Sequence, residues 1–301
     1  MSDRTTEGDG SDGVLAAEPD TPFLVAASLS GVADAAWARR AAPAVDAAVM
    51  GGIALDTASR RAARELVERD RSEFLPRDPI DWIDDQLAAV ADAPLVPGVN
   101  VRSATVAPIR EAARVCADHG ALCEINAHCR QPELRAVGCG ESLLADRDRL
   151  VEYVTAAVET GAVTSVKVRT EVSGVDLVAV ADSVAAAGAE WLHVDAMDSE
   201  SVIAAITAAD PGGQTPPRSA LTVIANNEVR GRESVAEYAQ YGADAVSVGR
   251  PSENPTGLTR VADAVDAWRA GSLAGDGPED GPNGESKDEP NDQPNDPPEA
   301  P

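Results

Sequence analysis

The sequence predicts an α/β protein, a closed (β/α)8 TIM barrel with disordered acidic segments at both ends. Eight short apolar or β-branched runs occur in order, and amphipathic helical patterns alternate with them. This alternation is typical of parallel βα units. Polar or reactive side chains also stand at the carboxyl end of nearly every run, where the loops of such a barrel converge on its active site.

The predicted strands are six or seven residues long and rich in Val, Ile, Leu and Ala. They are 23–28, 46–51, 95–101, 121–127, 163–169, 190–195, 221–226 and 243–248. Helical patterns are predicted at 106–119, 143–160, 175–187, 232–241 and 258–269. The segment 56–92 contains two further helical stretches on either side of Phe74-Leu75-Pro76, and we interpret it as an enlarged loop after the second strand.

An open, doubly wound sheet would alternate strands and helices in the same way. It would normally carry Gly-x-Gly-x-x-Gly directly after an early strand, where the glycines let the backbone approach a pyrophosphate. The nearest sequence here, Gly138-Cys139-Gly140, lacks the third glycine and follows no predicted strand. The pattern therefore favours the closed barrel.

The two ends of the chain differ in composition from the middle. Residues 1–21 are mostly Asp, Glu, Gly and Thr, and residues 271–301 are mostly Gly, Pro, Asn, Asp and Glu. Such segments cannot bury enough apolar area to offset their chain entropy, so both are predicted to be disordered. A single barrel domain is expected over residues 22–270. The acidic start does not resemble a secretory signal, and no apolar run is long enough to span a bilayer, so a soluble cytoplasmic protein is expected.

The charge balance is strongly acidic, with a formal net charge of −26 and only two lysines, Lys167 and Lys287. This composition is typical of halophile cytoplasmic proteins, because molar salt screens the self-repulsion of an acidic surface. It argues against DNA or a membrane surface as a partner. The four cysteines lie within one short region and lack the paired spacing of zinc sites, so reduced thiols and no metal are predicted. They are Cys116, Cys123, Cys129 and Cys139.

Several strand ends carry motifs that occur together in one family. They are Ala26-Ala27-Ser28-Leu29-Ser30-Gly31-Val32-Ala33-Asp34, Glu124-Ile125-Asn126-Ala127-His128-Cys129, Gly140-Glu141-Ser142-Leu143-Leu144, Val166-Lys167-Val168-Arg169, His193, Asn226, and Gly242-Ala243-Asp244-Ala245-Val246-Ser247-Val248-Gly249-Arg250. In this order and spacing, residues 22–270 resemble the dihydrouridine synthase family. They are also similar to dihydroorotate dehydrogenase, a related FMN barrel.

The resemblance implies FMN as cofactor, NAD(P)H as electron donor and a pyrimidine ring, in tRNA or free, as substrate. Lys167 would face the negative charge of the reduced flavin, and Cys129 would donate the proton that C5 of the ring gains. Asn126 and Arg169 would bind the substrate. The remaining implied cofactor contacts are Ser28, Asn100, His193, Asn226, Asn227, Gly249 and Arg250, the last four around the phosphate.

Three departures from the family pattern bear on the substrate. Arg130 follows Cys129 where the family has proline, and Asn227-Glu228 replaces a turn like Gly-Gly. After the last predicted barrel helix only an acidic segment follows, so the helical domain with which family members help grip tRNA is not expected. Reduction of uridine in tRNA is the leading prediction. A dihydroorotate or dihydropyrimidine dehydrogenase-like enzyme, and a flavin- or phosphate-binding barrel without redox turnover, remain alternatives, and the oligomeric state is not predicted.

Overall fold

A closed barrel of eight parallel strands is the core of the computed structural model, which describes residues 21–208 and 220–273. Each strand pairs with the next along the chain, and the last pairs with the first. The predicted fold class is therefore confirmed. The predicted acidic tails fall almost entirely outside the described residues.

All eight predicted strands are present, with ends shifted by three residues at most. They are β1 Phe23–Ala26, β2 Ala47–Ala54, β3 Val96–Arg102, β4 Leu122–Asn126, β5 Val163–Arg169, β6 Trp191–Asp195, β7 Thr222–Asn226 and β8 Ala245–Val248.

The helices lie outside the barrel, one after each strand, except that two follow β2 and three follow β4. They are α1 Ala35–Ala41, α2 Thr57–Val67, α3 Pro79–Ala89, α4 Val106–Asp118, α5 Pro132–Ala136, α6 Glu141–Leu144, α7 Arg147–Val158, α8 Leu177–Ala186, α9 Val202–Thr207, α10 Arg232–Gln240 and α11 Pro255–Arg269. The enlarged β2 connection with two helices agrees with the prediction for residues 56–92. The single helix predicted over 143–160 is instead the end of α6 followed by α7, because Asp146 caps a new helix by accepting from Arg149 N.

Aspartates at helix starts fix the position of the loops around the barrel. Asp56 accepts hydrogen bonds from Ala58 N at 2.7 Å and Ser59 N at 3.1 Å, which satisfies free N–H groups at the start of α2. The same carboxylate accepts from Ser103 Oγ at 2.8 Å, just beyond β3. Burial alone would raise the pKa of Asp56, but hydrogen bonds from Ala104, Ser103 and Ser59 lower it. One ionised carboxylate therefore holds α2 against the end of β3.

The barrel interior is apolar at one end and polar at the other. Its apolar end is filled by side chains from the first halves of the strands, where Phe23 and Trp191 meet with ring centroids 5.2 Å apart. The fully buried members of this cluster are Val25, Ala47, Val49, Leu122, Ile224 and Ala245. Further along the same strands the inward positions change to Asn, Glu, Lys and His. The polar half is the carboxyl-terminal half, so the barrel mouth holds the candidate site.

The last helix is fastened to the first strands. Arg269, at the end of α11, donates from Nε to the backbone oxygen of Pro22 at 2.8 Å, and its Nη2 lies 2.5 Å from Oδ2 of Asp46. These contacts join the two ends of the barrel segment. Among the described residues, no helix combines the length and apolar character needed to cross a bilayer.

Candidate functional site

Polar side chains from five neighbouring strands meet at the carboxyl end of the barrel. The strand register brings Asn126 beside Lys167, Lys167 beside His193, and Asp195 beside Asn226. Asn100, Asn126, Lys167 and His193 are all at most 5% exposed. Charged and amide groups this deep must be partnered or must await a ligand, because unpaired burial costs several kcal/mol.

One hydrogen-bonded series runs from the loop after β4 into the barrel. Asn126 Oδ1 accepts from the backbone N–H of Cys129 at 3.1 Å, and Asn126 Nδ2 donates to Asn100 Oδ1 at 2.8 Å. Asn100 Nδ2 then donates to Oε1 of Glu124 at 2.7 Å. Asn126 is the predicted substrate contact, and these bonds leave it one free N–H. Its oxygen holds the Cys129 loop in place.

A second series reaches the same glutamate from the opposite side. His193 Nδ1 lies 2.7 Å from Oε2 of Glu124, and His193 Nε2 lies 2.7 Å from Ser247 Oγ. Asn226 Nδ2 donates to that hydroxyl at 2.7 Å. Both ring nitrogens of His193, a predicted flavin contact, are thus already engaged by protein groups.

Glu124 carries the negative charge at the centre of these contacts and has no solvent exposure. Burial would raise its pKa, but the His193 contact, the nearby Lys167 charge and the Asn100 hydrogen bond lower it to about 2. Burial lowers the pKa of His193, with Lys167 adding to the effect. Near neutral pH the site therefore holds an ionised carboxylate beside a neutral imidazole.

Lys167 is the buried cation of the site. It is 3% exposed, and its ammonium makes no hydrogen bond or ion pair with any residue of the described chain. Burial lowers its pKa, whereas the charges of Glu124 and Asp195 raise it. The nitrogen itself is not fully enclosed, so the ammonium can take a hydrogen-bond acceptor from a ligand bound in the mouth.

Cys129 is half-buried in the loop after β4 and packs against the apolar cluster that contains Leu134 and Cys139. Its backbone is held from both sides, since Cys129 O accepts from Glu141 N at 3.0 Å. Gly140 has φ +60°, and a Cβ there would collide with the Cys129 carbonyl, so only glycine fits this close approach. Cys139 packs nearby against Leu134, and burial raises its pKa to about 12. Of these two cysteines, Cys129 is the more accessible to solvent.

Arg169, the other predicted substrate contact, is already paired. Its Nη1 lies 2.5 Å from Oε1 of Glu141, and Arg135 Nε lies 3.1 Å from the second oxygen of the same carboxylate. Arg169 Nε is buried and has no hydrogen-bond partner in the described structure. The charge of the guanidinium is therefore largely neutralised, while its buried Nε–H has no acceptor in the described structure.

A second buried arginine pair closes the β2–β3 side of the mouth. Arg102, at the end of β3, bonds both carboxylate oxygens of Glu73 and the backbone oxygen of Gly52. The two side chains are 1% and 3% exposed. Glu73 lies in the segment between α2 and α3, which also packs on Gly31, where an added Cβ would lie 2.6 Å from Ser72. This segment, residues 69–78, is called the mouth segment below.

The predicted phosphate loops lie on the other side of the mouth. Asn227 and Glu228 have φ of +97° and +51°, and Glu171 and Met197 in the loops after β5 and β6 also have positive φ. Such backbone is strained for residues other than glycine and tends to cluster at functional sites. The Asn227 side chain donates to Met197 O at 3.1 Å, which ties two of these loops together.

The remaining predicted cofactor contacts differ in exposure. Arg250 is exposed after β8, and Gly249 is half-buried beside it. Ser28 is half-buried in the loop after β1. These three residues are therefore accessible at the rim, in contrast to the enclosed Asn100 and His193.

Sequence reasoning assigned no role to His128, Glu124 or Glu73. The imidazole Nδ1 of His128 is buried and has no partner in the described structure, and burial together with the Lys167 charge holds its pKa well below the usual value. His128 was visible from its position beside Cys129. Within residues 21–208 and 220–273, no group of three or more His, Cys, Asp or Glu is arranged to hold a metal ion.

Comparisons with known proteins bear on the family and the fold. The family model described as "Dihydrouridine synthase (Dus)" matches residues 91–270. An uncharacterised protein of Methanocaldococcus jannaschii is 28% identical over 148 residues, which are 48% of this chain and 57% of that protein. The match thus spans little more than half of that relative.

Solved structures with low sequence identity share the barrel fold. The DHODH of Eimeria tenella, solved in complex with ferulenol, aligns with a TM-score of 0.57 at 14% identity, covering 81% of this chain and 82% of that one. The 3-hexulose-6-phosphate synthase of Salmonella typhimurium aligns with a TM-score of 0.50 at 14% identity, covering 83% and 99%. At this identity, the two structures support the architecture alone.

Proposed function

Because the chain belongs to the dihydrouridine synthase family, we propose that it is an FMN-dependent oxidoreductase that reduces the uracil ring of uridine in tRNA, with NAD(P)H as electron donor. The observation that supports it most is the unpaired, buried ammonium of Lys167 in a mouth built from the family's motifs. A reduced flavin is negatively charged, and a fixed cation at that position stabilises it.

The residues of the mouth fit such a group. Arg169 Nε and Arg102 Nε are buried donors without an acceptor in the described chain, the ammonium of Lys167 also has none, and a flavin or uracil ring is rich in acceptor atoms. Lys167 and Asn100 would lie by the ring. The phosphate would be held by the loops after β7 and β8, which contain Asn226, Asn227, Gly249 and Arg250. When bound, the flavin supplies the hydride.

The chain's own groups would handle the proton and the charge. Cys129 would hold a proton on Sγ and release it to C5 of the ring, while Asn126 keeps the cysteine loop at a fixed distance from the strands. Lys167 would keep the site electrically balanced as negative charge develops. The mouth segment would exclude water on the β2–β3 side, because its Glu73 is enclosed with Arg102.

A second candidate, reduction or oxidation of a free pyrimidine, is favoured by one observation. The buried arginines at the mouth, Arg102 and Arg169, are both paired with carboxylates, and the whole chain has a net charge of −26. Binding to a nucleic-acid backbone normally draws on uncompensated cations. A small free pyrimidine has no polyanionic backbone and makes no such demand.

Two measurements test the proposal in order. The protein purified in molar KCl should show flavin absorbance, or take up about one FMN per chain on titration; protein that takes up no FMN contradicts it. Dihydrouridine formation on transcribed tRNA and turnover of free uracil or dihydroorotate are then compared between about one and three molar KCl, with a shallow salt slope expected for tRNA. Activity on the free pyrimidine alone would favour the second candidate.

A further inference from the structure

We propose that Glu124 is a positioning residue whose ionised carboxylate accepts the hydrogen bonds that reach it from the Cys129 loop and from His193. It would thereby determine which nitrogen of His193 carries the proton. The backbone N–H of Cys129 fixes the direction of the asparagine bonds, and the acceptor-only carboxylate of Glu124 fixes the direction of the His193 bond.

The first end is fixed by a donor. The backbone N–H of Cys129 can only donate, so the Asn126 atom that faces it at 3.1 Å must be the oxygen. Asn126 then presents its NH₂ to Asn100, whose oxygen must face it at 2.8 Å. Asn100 consequently presents its own NH₂ to Glu124. Every bond in this arm points toward the glutamate.

At the opposite end, a backbone acceptor fixes the orientation of Asn226. The backbone oxygen of Ser247 can only accept, so the Asn226 atom 3.1 Å from it must be the NH₂ nitrogen. That group also donates to Ser247 Oγ at 2.7 Å, and the hydroxyl can then either donate to His193 Nε2 or accept from it. The ionised carboxylate of Glu124 only accepts, so it places the His193 proton on Nδ1, and Nε2 accepts from the hydroxyl.

The two arms therefore converge as donors on one side chain. An ionised carboxylate accepts on both oxygens, whereas an amide or a protonated carboxyl group would place a hydrogen against one arm. Ser165 Oγ, 3.3 Å from Oε2, adds a third donor to Glu124. The Glu124 charge also raises the pKa of Lys167, and so does the charge of Asp195. The Lys167 charge in turn lowers the pKa of both His193 and His128.

Glu124→Gln gives an asymmetric expectation. Reversing the asparagine arm would turn an NH₂ group toward the backbone N–H of Cys129, leaving two donors face to face. Reversing the histidine arm needs only a shift of the ring proton to Nε2, which then donates to Ser247 Oγ. The variant should therefore carry His193 as the Nε2–H tautomer, with the Cys129 loop unchanged.

The primary test is nuclear magnetic resonance of the full chain labelled with ¹⁵N-histidine, in which the three histidines are assigned with the aid of His193→Gln. Near neutral pH, wild type and Glu124→Asp should show His193 as the neutral Nδ1–H tautomer, and Glu124→Gln should show Nε2–H. A wild-type Nε2–H tautomer or imidazolium, or an unchanged tautomer in Glu124→Gln, would overturn the proposal.

A second variant keeps the test decisive if Glu124→Gln does not fold. Ser247→Ala removes the hydroxyl partner but leaves Glu124 in place, so the Nδ1–H tautomer should persist. A shift to Nε2–H in that variant would show that Ser247, not Glu124, sets the proton, and would refute the proposal.

The catalytic consequence rests on the proposed function. Losing the Glu124 charge lowers the pKa of Lys167 further, so the alkaline limb of the activity–pH profile should move to lower pH in Glu124→Gln. Glu124→Asp keeps the charge, and its alkaline limb should lie near the wild-type position. An unmoved alkaline limb would refute this charge-balancing role. If the tautomers behave as expected but no pyrimidine is turned over by wild type, the proposed function fails and the positioning role stands.

Discussion

Replacing Glu73 with glutamine should destabilise the protein substantially, because it leaves the Arg102 guanidinium buried without its counter-charge. The wild-type pair is enclosed, with side chains 1% and 3% exposed, and Arg102 bonds both carboxylate oxygens. Burial would lower the pKa of Arg102, and the Glu73 charge and hydrogen bonds more than offset this. Glutamine preserves the shape and one acceptor, so the change isolates the charge.

The expected size follows from this burial. Breaking a buried ion pair by removing one partner costs about 3–5 kcal/mol, and the retained acceptor places Glu73→Gln near the lower end, about 3 kcal/mol. At about 2–4 °C per kcal/mol for a large domain, the melting temperature should fall by about 6–12 °C. Exposed pairs contribute about 0–1 kcal/mol in the same measurement.

Thermal unfolding at several KCl concentrations, with Glu159→Gln as matched control, checks the reasoning. Glu159 pairs with Arg110 at 2.6 Å, and the two side chains are 54% and 43% exposed. The Glu73 effect should persist in high salt because screening acts weakly on buried charges, while any Glu159 effect should fade. Equal losses in the two variants, or a Glu73 loss that disappears with salt, would mean that the pair is not enclosed.

Three further outcomes are expected. Lys167→Met should weaken FMN binding or lower the bound flavin's potential, measured by titration and by redox dye equilibration; unchanged values would remove Lys167 from the cofactor site. Cys129→Ala should leave FMN bound and its reduction by NAD(P)H intact while slowing transfer to the pyrimidine roughly 10²–10⁴-fold, with Cys116→Ala as control; wild-type transfer would make Cys129 a packing residue. Because folding lowers the pKa of Glu124 from 4.5 to about 2, its contribution to the free energy of unfolding is complete above the unfolded value and is lost as pH falls between the two. Wild type should therefore lose its stability advantage over Glu124→Gln in acid, and a constant difference across that range would contradict the lowered pKa.

The elements and the location of the site were predictable from the sequence for a physical reason. Strand runs are short and apolar, and parallel βα units bring all their carboxyl ends to one face, so Asn126, Lys167 and His193 had to converge. The partners of the arginines were not predictable. Glu73 pairs with Arg102 across 29 residues, and loop segments carry no periodicity that records such contacts.

Hydrogen-bond direction was also beyond sequence reasoning. Glu124 was visible within its motif, but a glutamate in a strand shows no acceptor role until the neighbouring strands place Asn100 and His193 at hydrogen-bond distance. The inward-facing polar half of the barrel depends on register. Register is a property of paired strands and is absent from any one of them.

The junction that Arg269 makes with Pro22 and Asp46 has a consequence for engineering. The two ends of the barrel segment meet at the face opposite the mouth, so a short linker can join them while a new start is cut in an exposed loop. Such a circular permutant keeps every strand neighbour, since the closed order has no first or last member. A linker between α11 and β1 can therefore take the place of a loop elsewhere in the barrel.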